Sequence, residues 1–289
     1  MNIYKINFEQ LRQNPDITEM LSALERGLLK FGIDFYLVGA VARDVWMRGI
    51  YKIAPRRTTG DIDFAVLINN KGEYEALKKH LIENEDFHPS HNNAFVLLWK
   101  SKMEVDLLPF GSIEDEEGSV TIEGTGYTTV HVPGFHEVYQ DGLPVVEVEG
   151  KHSFKFSTLP GIVILKLIAW DDRPESRRDD IKDISDILNN FFTMHDEEIW
   201  NNHADLFSDE SVELIHIAAR VMGREMHKIA SRNEKLFTRL EGILKANTTD
   251  AANSKMADIM IEYFDNTAED NIRLLKQLRT GFIENHGGN

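Results

Sequence analysis

The 289-residue chain contains no cysteine. Disulfides, thiolate metal sites and cysteine nucleophiles are thereby excluded, and the composition suits a reducing compartment. Long apolar runs are missing as well. The longest, Leu159 to Trp170, is interrupted by Lys166 and falls short of the ~20 residues that a membrane helix needs. The opening stretch, Met1 to Pro15, is polar and charged throughout and resembles no secretory signal. These absences predict a cytoplasmic protein with no membrane contact. Basic residues are few beside acidic ones, 32 against 48, for a formal net charge of −16. Nucleic-acid binding rests on neutralising phosphates, so a chain this acidic would need a local basic patch for it. There is no internal repeat and no low-complexity segment.

What remains is an ordinary globular composition, 42% hydrophobic and 28% charged, with length for two domains or one domain with a large extension. Asn7 to Lys30 reads as a helical lead-in, with Leu11, Leu21, Leu24, Leu28 and Leu29 at helical spacing. Asp34 to Val38 reads as a buried strand ending at Gly39, and helix formers follow from Val41 to Met47. Arg56-Arg57-Thr58-Thr59-Gly60 reads as a loop, Ile62 to Ile68 as a strand and Lys71 to Glu83 as an amphipathic helix. Ala94 to Trp99 and Glu104 to Leu108 are β-rich, and 111–156 suggests short strands and hairpins. Within that stretch Glu114 to Glu117 reads as a solvated turn. From Thr158 and Pro160, a helix start, helical patterns dominate to Phe282. The expected class is α+β, with a mixed-sheet domain over 1–156 and a helical domain over 157–289.

The chemistry concentrates in Gly60-Asp61-Ile62-Asp63-Phe64 at a strand start. Alternate strand residues share a face, so Asp61 and Asp63 project together. Two such carboxylates repel unless a cation sits between them. Mg²⁺ suits that arrangement, because it takes a few carboxylates together with substrate phosphates. By itself a D-x-D also describes solvated aspartates at a strand end. Asp106, between Val105 and Leu107, adds a third carboxylate if its strand lies beside the first, and is otherwise a surface residue. Leu37-Val38-Gly39-Ala40 is a strand leading through a glycine to a helix. That is either an ordinary tight turn or a place where backbone amides approach a phosphate.

The order glycine turn, loop, paired aspartates, helix, strand and third aspartate resembles the nucleotidyltransferase superfamily. Its carriers are Val38-Gly39-Ala40-Val41-Ala42-Arg43-Asp44 and Thr59-Gly60-Asp61-Ile62-Asp63. Within the superfamily the chain resembles the AbiEii/AbiGii-type toxin group over roughly residues 30–192. There Leu165-Lys166-Leu167, then Arg173, then Lys182-Asp183-Ile184-Ser185-Asp186 follow that group's helical pattern. The resemblance implies a nucleotidyltransferase fold whose helical domain completes the nucleotide cleft. It also implies catalytic and Mg²⁺- or Mn²⁺-binding roles for Asp61, Asp63 and Asp106. Gly39, Ala40, Gly60, Lys166 and Asp183 would bind the nucleoside triphosphate, ATP among the candidates. The acceptor would be a tRNA 3′ end or a protein hydroxyl, and a toxin role would bring an antitoxin partner. Ala40 stands where the family has a second glycine or a serine, which removes a side-chain contact with phosphate.

Several residues keep two readings. Lys166 interrupts an apolar helix, so its ammonium snorkels, pairs or faces a cleft. Asp183 and Asp186, three apart on one helical face, either orient Lys166 or line a solvated face. Arg56 and Arg57 are a solvated pair or meet an incoming phosphate. Arg220, Arg224, Lys228 and Arg232 form a basic stripe that is a solvated face or a nucleic-acid contact. His88 and His91 read as surface residues and Gly124-Thr125-Gly126 as a hairpin. Gly39 to Asp44 also resembles the head motif of tRNA CCA-adding enzymes, without their later nucleotide-selecting motif. The net charge keeps a cationic aminoglycoside-like acceptor in play, and a silent nucleotide-binding scaffold is the non-enzymatic alternative.

Overall fold

The computed structural model describes residues 2–7, 16–54, 56–57, 60–208 and 212–284. Leu11, Thr58 and Thr59, used in reading the sequence, lie outside the described residues. The chain divides into two compact units, Met1–Thr158 and Leu159–Asn289. The class is α+β, a mixed sheet with helices followed by a helical region.

The first unit runs β1 (Ile3–Ile6), α1 (Ile17–Phe31), β2 (Phe35–Val38) and α2 (Gly39–Asp44), which continues into a π-helical turn, Val45–Ile50. β3 (Ile62–Leu67), α3 (Lys71–Asn84), β4 (Phe87–Pro89), β5 (Val96–Trp99) and β6 (Met103–Phe110) follow. Then come a small hairpin of β7 (Ser119–Thr121) and β8 (Thr129–His131), α4 (Phe135–Gln140), β9 (Val145–Val148) and β10 (His152–Phe156). Among the described residues one eight-stranded sheet has the order β1-β9-β10-β2-β3-β6-β5-β4. β2 lies antiparallel to β3, and β3 parallel to β6.

Local signals account for the central elements. Tyr36, Leu37, Val38, Phe64, Ala65 and Val66 are all buried, as expected of strands covered on both faces. β6 instead alternates, with Met103, Val105 and Leu107 buried and Glu104, Asp106 and Leu108 more open. α1 stops where Gly32 turns left-handed, φ 65°, and donates its N–H to the carbonyls of Leu28 and Leu29. α3 starts on the Asn70 side chain, which accepts the Glu73 N–H at 3.0 Å. The two helices approach closely at Gly27, where a Cβ would come within 2.6 Å of Leu81.

Two expectations for 111–156 need correction. Phe135–Gln140 is a helix, begun by Gly134 at φ 93° and held by Phe135 and Val138 on its buried side. The Tyr36 hydroxyl donates to the Phe135 carbonyl at 2.8 Å, so burial overrides the strand-like composition. The acidic turn is also not wholly solvated. Glu114 accepts the Gly111 N–H at 2.7 Å, and burial raises its carboxyl above the ordinary value, with the nearby Glu137 adding to the rise.

The second unit comprises α5 (Leu159–Asp172), α6 (Arg178–Asn202), α7 (Leu214–Ala230), α8 (Glu234–Ala246), α9 (Lys255–Phe264) and α10 (Ala268–Ile283). α5 is apolar almost all round and correspondingly buried. α10 opens with a capping box between Thr267 and Asp270. α7 and α10 cross backbone to backbone. A Cβ on Gly281 would sit 1.9 Å from the Arg220 carbonyl oxygen, and one on Gly223 2.1 Å from that of Leu278. Neither carbonyl can yield without breaking its helix. Gly281→Ala is therefore expected to cost about 1–3 kcal/mol, read as a lower urea midpoint at unchanged slope, whereas wild-type stability would show that the helices part freely.

Candidate active site

Asp63 is the second residue of β3 and Asp106 the fourth of β6, and the parallel register pairs them directly. Parallel neighbours in register show the same face, with strands about 4.8 Å apart. The two carboxylates therefore stand side by side, both half-buried. On the other flank of β3, Val38 pairs with Asp63, so the C-terminal end of β2 meets the N-terminal end of β3. Gly39 follows immediately and takes φ 68°. A Cβ there would lie 2.1 Å from Asp63 Oδ2 and 2.9 Å from its Cγ. Bare backbone thus borders the carboxylate, for two independent reasons: the left-handed dihedral and the lack of room.

Supports surround this pair. The Tyr74 hydroxyl, carried on α3, donates to the Leu107 carbonyl at 2.7 Å, next to Asp106 on β6. Burial, with Glu75 and Asp106 adding, pushes that hydroxyl's pKa well above the ordinary tyrosine value, so it stays a donor. Arg43, wholly buried, donates to Asp44 Oδ1 at 2.9 and 2.7 Å and to the Arg57 carbonyl at 3.0 Å. The Arg-Asp dipeptide thereby ties α2 to the segment that leads back toward Asp61. Its sequence signal was visible in the resemblance; its mechanical role was not.

The other expected residues fall differently. Asp61 precedes β3 by one residue and is half-buried. Among the described residues no three His, Cys, Asp or Glu side chains stand ready to hold a metal ion. The structure thus brings Asp63 and Asp106 together and does not gather all three aspartates into one such group. Ala40 is buried in the first turn of α2. Gly60 is exposed, and a Cβ there would meet nothing within 4 Å, so no contact demands glycine.

Lys166 and Asp183 do meet, in the second unit. The Lys166 ammonium lies 2.8 Å from Asp183 and 2.7 Å from Asp180, a partner that sequence spacing did not indicate. The trio carries one positive and two negative charges, which argues for a staple between α5 and α6 over a phosphate ligand. Asp186 instead accepts the Tyr263 hydroxyl at 2.6 Å. The basic stripe on α7 is largely neutralised as well. Arg220 and Arg224 pair with Glu284 at 2.6 and 2.5 Å, Arg224 with Asp205 at 2.6 Å, and Lys228 with Glu225 at 2.6 Å. His88 and His91 are exposed.

No protein-family model matches the chain, and no curated protein matches it. Solved structures of distant similarity include the following three. The antibiotic-resistance factor ANT(2'')-Ia has a TM-score of 0.37 at 12% identity, covering 80% of this chain and 96% of that one. An antigenic nucleotidyltransferase-like protein from Paracoccidioides brasiliensis has a TM-score of 0.39 at 14% identity, covering 66% and 91%. The Thermotoga maritima CCA-adding enzyme, complexed with tRNA, has a TM-score of 0.33 at 14% identity, covering 99% and 68%. Likenesses this remote leave the functional reading to the chain's own residues.

Two variants probe these contacts. Gly39→Ala is expected to cost about 1–2 kcal/mol from the left-handed dihedral alone and to displace Asp63; an unchanged thermal midpoint would show that the turn can relax. Burial by itself would depress the Lys166 ammonium, but Asp180 and Asp183 outweigh it and hold the pKa above the ordinary lysine value. A raised folded pKa means that the stabilisation is complete below about pH 10.4, the unfolded value, and fades as pH climbs through the folded one. Lys166→Met strands two buried carboxylates and is expected to cost about 3–5 kcal/mol at neutral pH. A loss under 1 kcal/mol in urea unfolding would refute the staple.

Proposed function

We propose that the protein is a metal-dependent nucleotidyltransferase, moving a nucleoside monophosphate from a nucleoside triphosphate to a hydroxyl acceptor. The observation that carries this is the in-register pair of Asp63 and Asp106, with Gly39 packed bare against the Asp63 carboxylate. Two adjacent half-open carboxylates are hard oxygen donors whose mutual repulsion a divalent cation relieves. The pair fits Mg²⁺ or Mn²⁺, with Asp63 and Asp106 as its holders, and Asp61, one residue before β3, would complete the set only by moving toward the ion. When bound, the ion lowers the pKa of the attacking hydroxyl and offsets the charge of departing pyrophosphate.

The chain's own groups do the rest. Asp106 would accept the proton of the acceptor hydroxyl as its oxygen bonds to the α-phosphorus. The bond from that phosphorus to pyrophosphate breaks in the same transfer, so the phosphoryl count is conserved. The Gly39-Ala40 backbone amides offer donors to the triphosphate where no side chain intrudes. Such chemistry asks the protein chiefly for position and charge.

The resemblance in the sequence supports a tRNA 3′ end or a protein hydroxyl as acceptor, in a toxin role that an antitoxin would restrain. One observation favours a different acceptor: the net charge of −16 suits a cationic small molecule of aminoglycoside type better than a polyanion.

The test is incubation of purified protein with each labelled nucleoside triphosphate, Mg²⁺ or Mn²⁺, and in parallel total RNA, protein or an aminoglycoside panel. Asp63→Asn and Asp106→Asn are each expected to reduce transfer at least ~100-fold, about 2.7 kcal/mol of transition-state stabilisation. The labelled product identifies the acceptor. Transfer that survives both substitutions, or its absence with every acceptor, would defeat the proposal.

A further inference from the structure

Residues 45–60 carry Arg48, Lys52, Arg56 and Arg57 and no aspartate or glutamate, within a chain of net charge −16. Arg48 is the exceptional member. It sits on the π-helical turn that extends α2, 9% exposed, and its buried Nη1 has no hydrogen-bond partner. Among the described residues the other buried cations all have carboxylates. Arg43 pairs with Asp44, Lys78 with Glu75, Lys166 with Asp180 and Asp183, and Arg224 with Asp205 and Glu284. In a chain with 48 acidic side chains, supply of counter-charge is not limiting. Burial of an uncompensated guanidinium is costly, so such a group marks a place where the compensating anion comes from outside.

We propose that Arg48 is the centre of a phosphate-binding site on the first unit, with Lys52 as its second cation. The platform is rigid. Trp46 donates to the Ser157 carbonyl at 2.8 Å and packs its ring against Tyr4, Tyr51 and Phe156. The turn closes through Tyr51 N–H to Trp46 and Ile53 N–H to Met47, at 3.0 and 2.8 Å. Lys52 adopts φ 61° and folds back, its ammonium 2.5 Å from the Gly49 carbonyl, one residue from Arg48. π-Helical turns recur at functional sites because the extra residue re-aims a side chain. The planar fork of arginine matches an oxyanion in two-point contact, and a second cation nearby in the chain, Lys52, suits a polyvalent phosphate over a single carboxylate. The phosphate belongs either to a nucleotide or to a nucleic-acid strand. Neither Arg48 nor Lys52 takes part in the proposed reaction, so the two readings can fail separately.

Thermal melting of the full-length protein at constant ionic strength, with NaCl as the balancing salt, tests this. Tripolyphosphate is expected to raise the wild-type Tm by about 2–4 °C, the shift for roughly 1 kcal/mol of linked binding. Arg48→Met should melt at or above the wild-type temperature without anion, because it removes an uncompensated charge, and should lose the tripolyphosphate shift. Arg48→Lys, keeping charge without the fork, should retain a smaller shift, and the Asp63→Asn/Asp106→Asn protein the whole of it. ATP and a 12-nucleotide RNA, used as separate probes, assign the source: a shift with ATP alone marks a nucleotide phosphate, with RNA alone a strand phosphate. Three outcomes would overturn the site: no shift with any probe, an undiminished shift in Arg48→Met, or an Arg48→Met protein melting several degrees lower without anion.

Discussion

A carboxylate lying against bare backbone is the constraint on which the first unit's site depends. Asp63 can occupy its place only because β2 is followed directly by a residue without a Cβ, in a left-handed conformation that other residues reach at a cost. The antiparallel pairing of β2 with β3 delivers Gly39 to that spot, and the parallel pairing of β3 with β6 delivers Asp106 to the other side. Three central strands thus converge on one charged locus. The buried apolar residues of those strands hold it, and the Tyr74 hydroxyl fixes α3 onto the strand that bears Asp106.

Among the described residues the buried lysines and arginines other than Arg48 each lie beside a carboxylate. The Lys166 trio joins α5 to α6, and Arg224 holds Asp205 and Glu284 together. Arg224 is more deeply buried than either of its partners, Lys166 is buried together with both of its own, and the pairs compensate desolvation that either charge alone would suffer. Against that pattern Arg48 is an exception that needs an explanation, and an external oxyanion supplies one that the surrounding acid-free sequence also suits.

Local periodicity made much of this legible beforehand. The strand Phe35–Val38, the helix Lys71–Asn84 and the helix start at Leu159 follow from apolar runs, a capping asparagine and a proline in the first turn. The short helix Phe135–Gln140 was not legible, because a glycine turn and tertiary burial, rather than helix propensity, bring it about. Asp180 went unnoticed as the partner of Lys166 for a similar reason. The two are 14 residues apart on different helices, and only the crossing of α5 with α6 brings them to 2.7 Å.

By itself the sequence determined which residues could do the chemistry: Asp61, Asp63 and Asp106, a glycine after a buried strand, and no thiol anywhere. Such information is local, since side-chain type, spacing and the two-residue period of a strand need no knowledge of distant partners. Tertiary structure alone decided that Asp63 faces Asp106, that Gly39 must lack a side chain, and that Lys166 is held by two carboxylates. It also decided that Arg48 is buried with its Nη1 unsatisfied. Strand register and helix crossing depend on how whole faces pack, and that is set by the combined burial of many residues far apart in the chain.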